Sequence, residues 1–252
     1  MGNSLPKKLN TEPLVEAIFE VRFASAIPAS EILPGIFFRD LKGDKTISSL
    51  PASQIPAQMR NADVNLQFAP INRLDWDRFF INFSDKSLSI GCKLPYPGWK
   101  IFKASIENIL EIIAKLDIIK SVSRYSLKYV NLIPSGDTDK QISFLNLDLS
   151  IANHPVEKEI FQVRVEIPKT EYINIVQIFS SATATVSNGK TKQGVAVDID
   201  TIKNLTDVSI NELMNNLSIK LEDIHAINKT IFFDCLKPDT IQDLEPEYGN
   251  DE

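Results

Sequence analysis

Cysteine and histidine are scarce in this sequence, which contains two residues of each type. Cys92 and Cys235 lie far apart, and neither belongs to a pair with the spacing of a metal site or a redox motif. This excludes a site built on paired cysteines. We expect both thiols to be buried, one in a strand and one in a helix, because free cysteine usually packs as a small apolar side chain.

The sequence also lacks long apolar runs and glycine-rich loops. No apolar stretch approaches the roughly 20 residues that cross a bilayer, and residues 1–10 lack the apolar segment of a signal peptide. None of the nine glycines falls in a G-x-G-x-x-G spacing, which is typical of nucleotide phosphate loops. We therefore predict a cytoplasmic protein with no membrane partner and no cofactor.

A strong charge of either sign is missing from most of the chain. The formal net charge is −6, from 33 acidic and 27 basic residues. Six of the acids and none of the bases lie in residues 239–252, so the rest of the chain has 27 residues of each sign. Nucleic-acid-binding proteins concentrate Lys and Arg on one surface, so we expect no such partner. The acidic end predicts a solvated, mobile tail, and the alternative is a docking tail for a basic partner.

At 252 residues, 43% of them apolar, the chain is long enough for one large domain or for two halves that share a core. Its first part predicts an alternating strand, a short helix capped by Ser30, a polar loop, three further strands and a long amphipathic helix. In that order, these elements are residues 14–23, 30–41, 42–63, 64–68, 74–83, 87–94 and 99–119.

The second part of the chain repeats this order of elements. Strands are predicted at 124–134, 161–167, 172–186 and 193–202, the last two joined by an Asn188-Gly189 turn, since both residues tolerate positive φ. Ser209 and Glu212 form a capping box that begins one continuous helix of about seven turns, which Pro238 ends.

These elements predict an α+β fold of two similar halves, each an antiparallel sheet covered by one long amphipathic helix, related by a pseudo-twofold axis. The repeat is one of architecture and not of residues. The predicted divisions are an N-terminal arm, the first half, the second half and a mobile acidic tail, at residues 1–13, 14–119, 120–237 and 238–252.

Three short motifs carry a resemblance. They are PLVEAIFEVRF at 13–23, RYSLKYVN at 124–131, and a final helix with Leu221 to His225 followed by Phe232 and Phe233. In these motifs the sequence resembles a sporadically distributed family of uncharacterised bacterial proteins of similar length, with Ser126 and Lys128 where that family usually has Gly and Arg. The resemblance implies a family domain over most of the chain and no particular reaction.

Two Asp-x-Asp pairs, Asp75 with Asp77 and Asp198 with Asp200, are candidate metal ligands. Side chains two residues apart on a strand share a face, and carboxylate oxygens suit hard cations. Neither pair is accompanied by a third ligand or a phosphate-binding loop, so a solvated strand face is the alternative.

His225 and Asn228 fall on or beside the apolar stripe of the last predicted helix, and His154 precedes a proline in a loop. No motif places a serine or cysteine nucleophile beside either histidine, so we predict no catalytic residue. His225 is a candidate binding residue or a boundary residue that bonds a carbonyl. Asn228 needs buried hydrogen-bond partners, either a backbone group of the sheet or the wall of a polar cavity.

Charged residues also occur within otherwise β-like strands. They can converge on an uncovered sheet face as a groove for an anionic ligand or a peptide, and the alternative is an ordinary solvated face. The candidates are Arg22, Arg124, Lys128, Arg164 and Glu166.

The sequence thus favours a non-enzymatic binding or protein-interaction module whose partner is an unknown protein or small ligand. The alternative function is a metal-dependent or small-molecule enzyme that uses the Asp-x-Asp pairs and His225. A homodimer is a further hypothesis.

Overall fold

A computed structural model of the chain describes residues 5–64, 66–185 and 190–249. Within these residues the chain forms strands, α-helices and three 3₁₀ helices at Pro51–Gln54, Thr138–Lys140 and Ile142–Phe144. The strands are β1 (Lys8–Leu9), β2 (Leu14–Ser25), β3 (Lys45–Ser49), β4 (Asn72–Trp76), β5 (Phe79–Phe83), β6 (Ser87–Cys92), β7 (Ile119–Pro134), β8 (Ser150–Ile151), β9 (His154–Pro155), β10 (Gln162–Lys169), β11 (Tyr172–Thr185), β12 (Thr191–Val208) and β13 (Pro246–Glu247). The α-helices are α1 (Ala29–Asp40), α2 (Ala57–Ala62), α3 (Trp99–Ala114), α4 (Ile210–Met214), α5 (Leu217–Asp234) and α6 (Pro238–Asp243).

Nine strands in the described part of the chain form one antiparallel sheet, the main sheet, in the order β10-β11-β12-β7-β2-β6-β5-β4-β3. Two small ladders pair β1 with β13 and β8 with β9. A large antiparallel sheet with helices grouped apart from most of its strands confirms the predicted α+β class. Among the helices that the structure describes, none combines the length and hydropathy that a bilayer span requires.

The chain divides into two compact units. Unit 1 comprises Met1–Glu16, Lys128–Thr201 and His225–Glu252, and unit 2 comprises Ala17–Leu127 and Ile202–Ile224. The domain division predicted from the sequence stays a prediction.

Alternating apolar residues build the central strands as predicted. In β2, Ala17, Phe19, Val21 and Phe23 are at most 2% exposed, whereas most intervening residues are partly exposed. The strand β7 follows the same rule, because its Tyr125, Leu127 and Tyr129 are buried and its Arg124 and Lys128 lie on the other face. The predicted faces of both strands are confirmed.

In unit 2, α3 covers the sheet with one apolar stripe. Its Phe102, Ile106, Ile109, Leu110 and Ile113 are buried, as the amphipathic pattern predicts. The helix ends at Ala114, earlier than predicted, because the chain enters β7 at Ile119.

In unit 1, α5 packs its C-terminal part against one face of the sheet. The buried side chains of this core come from β7, β11, β12, α5 and the segments beside them. They are Ile133, Leu145, Val176, Ile178, Val195, Val197, Ile199, Ile231, Phe232, Phe233, Leu236 and Leu244.

The predicted single helix after Ser209 is wrong. Ser209 does cap a helix, with its Oγ accepting a hydrogen bond from Glu212 N at 3.1 Å, but α4 ends at Met214. Asn216 then adopts a φ of 60° before α5 begins, a conformation that Asn tolerates and that interrupts a helix. Pro238 lies in the first turn of α6, where a missing N–H has no consequence.

The region from 42 to 83 also differs from the prediction. The polar loop contains the edge strand β3, the 3₁₀ helix Pro51–Gln54 and α2, while residues 64 and 66–68 form turns and no strand. The strand predicted at 74–83 is the hairpin of β4 and β5, with Asp77 at φ 44° in its turn. Ser30 does not cap α1: its Oγ donates to Asp85 Oδ1 at 2.5 Å, and Pro28 holds the N-cap position.

The burial predicted for β10 is wrong, and the turn predicted near it is not described by the structure. The apolar side of β10 is not buried, since Val165 is 47% and Ile167 38% exposed, because β10 is the first strand of the main sheet. The predicted Asn188-Gly189 turn lies outside the described residues.

Candidate functional site

Lys128 lies at the centre of an ion-pair cluster in unit 1. Its Nζ is 3.0 Å from Asp198 Oδ2 and 3.9 Å from Glu16 Oε2. Val197 and Ile199 of β12 are fully buried beneath α5, so Asp198 and its neighbour two residues on, Asp200, point to the opposite face. We call Glu16, Lys128, Asp198 and Asp200 the acidic site, and the sheet face that carries it the charged face.

Burial dominates the electrostatics of the acidic site. It raises the pKa of Asp198, the Lys128 ammonium partly offsets this, and the Asp200 carboxylate adds to it. For Lys128, burial acts against the charged form, but Asp198, Glu16 and Asp200 together outweigh it and raise the pKa of the lysine. Within the acidic site, three carboxylates thus act on the one ammonium group of Lys128.

One oxygen of Asp198 has no hydrogen-bond partner among the described residues. The Asp198 side chain is 10% exposed, and its Oδ2 contacts Lys128. Its other oxygen, Oδ1, is buried and accepts no hydrogen bond there. A buried carboxylate oxygen ordinarily accepts a hydrogen bond, so Oδ1 is a vacant acceptor, one that no donor among the described residues satisfies.

The predicted residues Arg22 and Arg124 belong to unit 2, where both approach Glu20. Arg22 Nε donates to Glu20 Oε1 at 2.6 Å, and Arg124 Nη2 lies 4.0 Å from the same oxygen. The Arg22 guanidinium also stacks over the Phe68 ring, 4.1 Å from its centroid. Both arginines therefore have a carboxylate nearby that lowers their attraction for an anion.

Asn228 is buried in the interior of unit 1, whereas His225 is half-buried. The Asn228 amide donates to Ile199 O and to Thr201 Oγ1, both at 3.0 Å, and Thr201 donates onward to Asn174 Oδ1 at 2.8 Å. These contacts link α5 to β12 and β11 through buried polar groups. The His225 ring packs edge-on against Tyr129, with ring centroids 6.1 Å apart.

The other predicted acids and His154 lie in separate places. Asp75 is in β4 and pairs with Lys93 Nζ at 3.1 Å, whereas Asp77 is in the following turn and accepts from Asp44 N. The two therefore do not share a strand face. His154 Nε2 lies 2.8 Å from Glu159 Oε1. This hydrogen bond, and to a smaller extent hydrogen bonds from backbone N–H groups, lower the pKa of Glu159 to about 2.

Arg164 and Glu166 lie on the edge strand β10. Their side chains form an exposed pair, with Nη2 to Oε1 at 2.8 Å. Arg164 is opposite Gln177, which alternates with the buried Val176 and Ile178 of β11. Arg164 and Glu166 are therefore on the charged face of unit 1.

A cavity of about 490 Å³ lies among the loops after β7. This volume is within the range of small-molecule sites. Its wall includes none of the predicted site residues, and the sequence signal for it is only the long connection between β7 and β10. The lining residues are Asp139, Ile142, Ser143, Leu147, Asp148, Leu149, Ser150, Pro155, Val156, Glu157 and Lys237.

A scan against models of known protein families and a search of curated proteins both find no match to this chain. In the part of the chain that the structure describes, no group of three or more His, Cys, Asp or Glu side chains has an arrangement that could hold a metal ion.

Proposed function

We propose that this chain is a non-enzymatic binding module and that the acidic site takes a positively charged group of its ligand or partner. The observation that carries the proposal is the vacant Oδ1 acceptor of the buried Asp198, which has the Asp200 carboxylate near it and Glu16 near its partner Lys128. A guanidinium or ammonium group would donate charge-assisted hydrogen bonds to the carboxylates of the acidic site.

The charge balance favours a cationic group over an anionic ligand, which is one of the occupants that the strand charges suggest in the sequence. Lys128 is the base of this cluster, and it is already bound to Asp198 at 3.0 Å. An anion would have to displace that carboxylate and approach Glu16 and Asp200. A cation meets the opposite situation, because burial raises the pKa of Asp198, Asp200 adds to this by repulsion, and a bound cation would reduce that repulsion.

Calorimetry with Nα-acetyl-arginine amide tests the proposal, with Nα-acetyl-glutamine amide as the uncharged probe. We expect heat from the arginine probe alone, and binding at least about tenfold weaker in Asp198→Asn, the equivalent of about 1.4 kcal/mol. Asp207→Asn is the matched control, because Asp207 is an exposed acid on the same strand. Equal binding by Asp198→Asn, or no heat from the arginine probe, would contradict the proposal.

A metal-dependent or small-molecule enzyme is the second candidate, favoured by the placement of Asp198 and Asp200 on one face of β12. These two carboxylates, one of which includes the vacant Oδ1 acceptor, can offer oxygens to a hard cation, although Lys128 Nζ, 3.0 Å from Asp198 Oδ2, opposes it. Titration with Mg²⁺, Mn²⁺ and Ca²⁺ distinguishes the two candidates. No heat at millimolar metal would exclude the metal-dependent version.

We also propose that residues 14–119 and 120–237 are two architectural repeats about a pseudo-twofold axis. The support is that α3 and α5, of 16 and 18 residues, each follow a run of main-sheet strands along the chain. Separately produced halves that recover native ellipticity only when mixed would support two complementary repeats. Halves that remain unfolded together would argue against them.

A further inference from the structure

The strand β10 ends the main sheet, and its outer side has no strand partner in the described ranges. Six of its eight residues are exposed, namely Gln162 and residues 164–168, and the other two, Val163 and Lys169, are half-buried. An exposed strand of this length presents backbone N–H and C=O groups that another strand can pair with. Charges and proline on such an edge usually discourage pairing, so a partner strand must carry charges that match those of β10.

The backbone groups that point outward belong to the even-numbered residues. Ser180 N donates to Phe161 O at 3.1 Å, so Phe161 directs its backbone groups toward β11. Directions alternate along a strand, so residues 163, 165 and 167 also face β11, and residues 162, 164, 166 and 168 face outward. Pro168 fits this assignment, because proline on an edge strand places its missing N–H on the outer side.

We propose that β10 pairs with β10 of a second copy of this chain, antiparallel and about a twofold axis at Val165. In this register Arg164 of each copy lies opposite Glu166 of the other, and both residues direct their backbone groups across the interface. Arg164 also contacts Glu166 of its own strand at 2.8 Å. The twofold therefore assembles a square of alternating charges on the charged face.

The other side of β10 is self-complementary in the same register. Val165 lies opposite its own copy, and Val163 lies opposite Ile167. Val165 and Ile167 are the exposed apolar side chains of this strand, at 47% and 38%. Pairing removes this apolar surface from water. It therefore gives a reason for apolar side chains on a strand that is exposed in the single chain.

The charges select this register from its neighbours. The outward-facing backbone groups of one β10 must hydrogen-bond with the outward-facing groups of the other. The possible twofold registers are therefore shifted from one another by two residues. One step in one direction places Arg164 opposite Arg164, and one step in the other places Glu166 opposite Glu166. Like charges directly opposite each other destabilise a strand pair, whereas opposite charges stabilise it.

The test is the mass of the full chain in solution, measured by light scattering and by sedimentation across a dilution series. We expect a dimer that dissociates on dilution. Arg164→Glu and Glu166→Arg should each weaken dimerisation at least about tenfold, because each converts two attractive pairs into two repulsive ones. The double variant R164E/E166R restores attraction and should dimerise like the wild type.

Mixing the two single variants provides a further readout. The R164E variant carries two acids on the edge, and the E166R variant carries two bases. Their mixture should therefore form a heterodimer that is tighter than the homodimer of either variant. Lys192→Glu is the matched control, because it reverses an exposed charge on β12, away from the edge. It should leave the dissociation constant unchanged.

Two results would overturn the proposal. One is a monomer at every concentration with an unchanged circular dichroism spectrum. The other is a dimer whose dissociation constant is the same in R164E, E166R and the wild type, since such a dimer uses another surface or register. Because none of these variants touches Asp198, they are independent of the arginine-binding test.

Discussion

Lys128 is the residue on which the charge balance of the acidic site depends. It lowers the pKa of Asp198 against the effect of burial, while Asp198 and its neighbours raise the pKa of Lys128. Breaking this pair leaves an acid that is 10% exposed without its cation. Removal of one partner from a buried pair costs more than the pair itself contributes.

Lys128→Met should therefore lower the free energy of unfolding by about 1–3 kcal/mol at neutral pH. The loss should shrink as the pH falls. Burial raises the pKa of Asp198 above its unfolded value, so its ionised form destabilises the folded state above that pKa, and protonation on acidification relieves this. Urea unfolding of variant and wild type at pH 7 and at stepwise lower pH measures the difference.

The double variant K128M/D198N is the control for this prediction. It removes the stranded charge together with its partner, so it should recover part of the stability lost in K128M. A destabilisation by K128M that stays constant between neutral and acid pH would mean that Asp198 is not the group responsible.

Asn228 acts at the same scale by connecting two elements of unit 1. Asn228→Ala removes the donor to Ile199 O and Thr201 Oγ1 and leaves buried acceptors behind. We expect it to cost about 1–3 kcal/mol in urea unfolding. Asn211→Ala, at an exposed position of α4, should have little effect. Equal midpoints for the two variants would show that the buried contacts contribute no net stability.

At the scale of elements, a buried ion pair holds the segment that contains the 3₁₀ helix Pro51–Gln54 and α2. Arg60 Nη2 lies 3.1 Å from Asp85 Oδ2, and the side chains are 11% and 5% exposed. Arg60 Nη1 also donates to Ile55 O, and Ser30 Oγ donates to the other Asp85 oxygen. These contacts explain why a polar stretch without amphipathic periodicity is ordered.

Arg60→Ala should lower the free energy of unfolding by about 3 kcal/mol, because it strands the buried Asp85 carboxylate. Hydrogen exchange should accelerate in residues 51–62 before the rest of unit 2. Arg39→Ala breaks the ion pair with Asp40, in which the arginine side chain is 72% exposed, and it should leave both measurements unchanged. Slow exchange in 51–62 of the Arg60 variant would refute this role.

At the scale of the whole molecule, the two described ends of the chain meet within unit 1. β1 pairs with β13, placing Lys8 opposite Glu247, and Asn10 N donates to Glu245 O at 3.1 Å. The predicted acidic tail thus contains α6 and β13 in its described part.

Deletion of residues 245–252 should release the N-terminal strand. Without β13 the backbone amides of Lys7 and Asn10 lose their acceptors, so their hydrogen exchange should approach that of an unstructured peptide. Deletion of 250–252 alone preserves β13 and is the control. Unchanged protection at Lys7 and Asn10 after the longer deletion would contradict this account.

The sequence by itself determined the features that depend on neighbours along the chain. Alternation was sufficient for β2 and for the faces of β7, a 3.6-residue stripe for α3, and the Ser209 side chain for the start of α4. Each of these signals is local, because side-chain direction and capping involve residues within a turn or two.

The tertiary structure alone decided which residues meet. The sequence places Asp198 and Asp200 on one strand face, but it does not show that Lys128 lies beside them. Lys128 belongs to another strand, and its Nζ is 3.0 Å from Asp198 Oδ2. It predicted an apolar face for β10 but not that the strand lies at the sheet edge. Strand order and the burial of single charges arise from long-range pairing, which local periodicity does not encode. These long-range contacts create both the vacant Oδ1 acceptor of Asp198 and the exposed edge of β10.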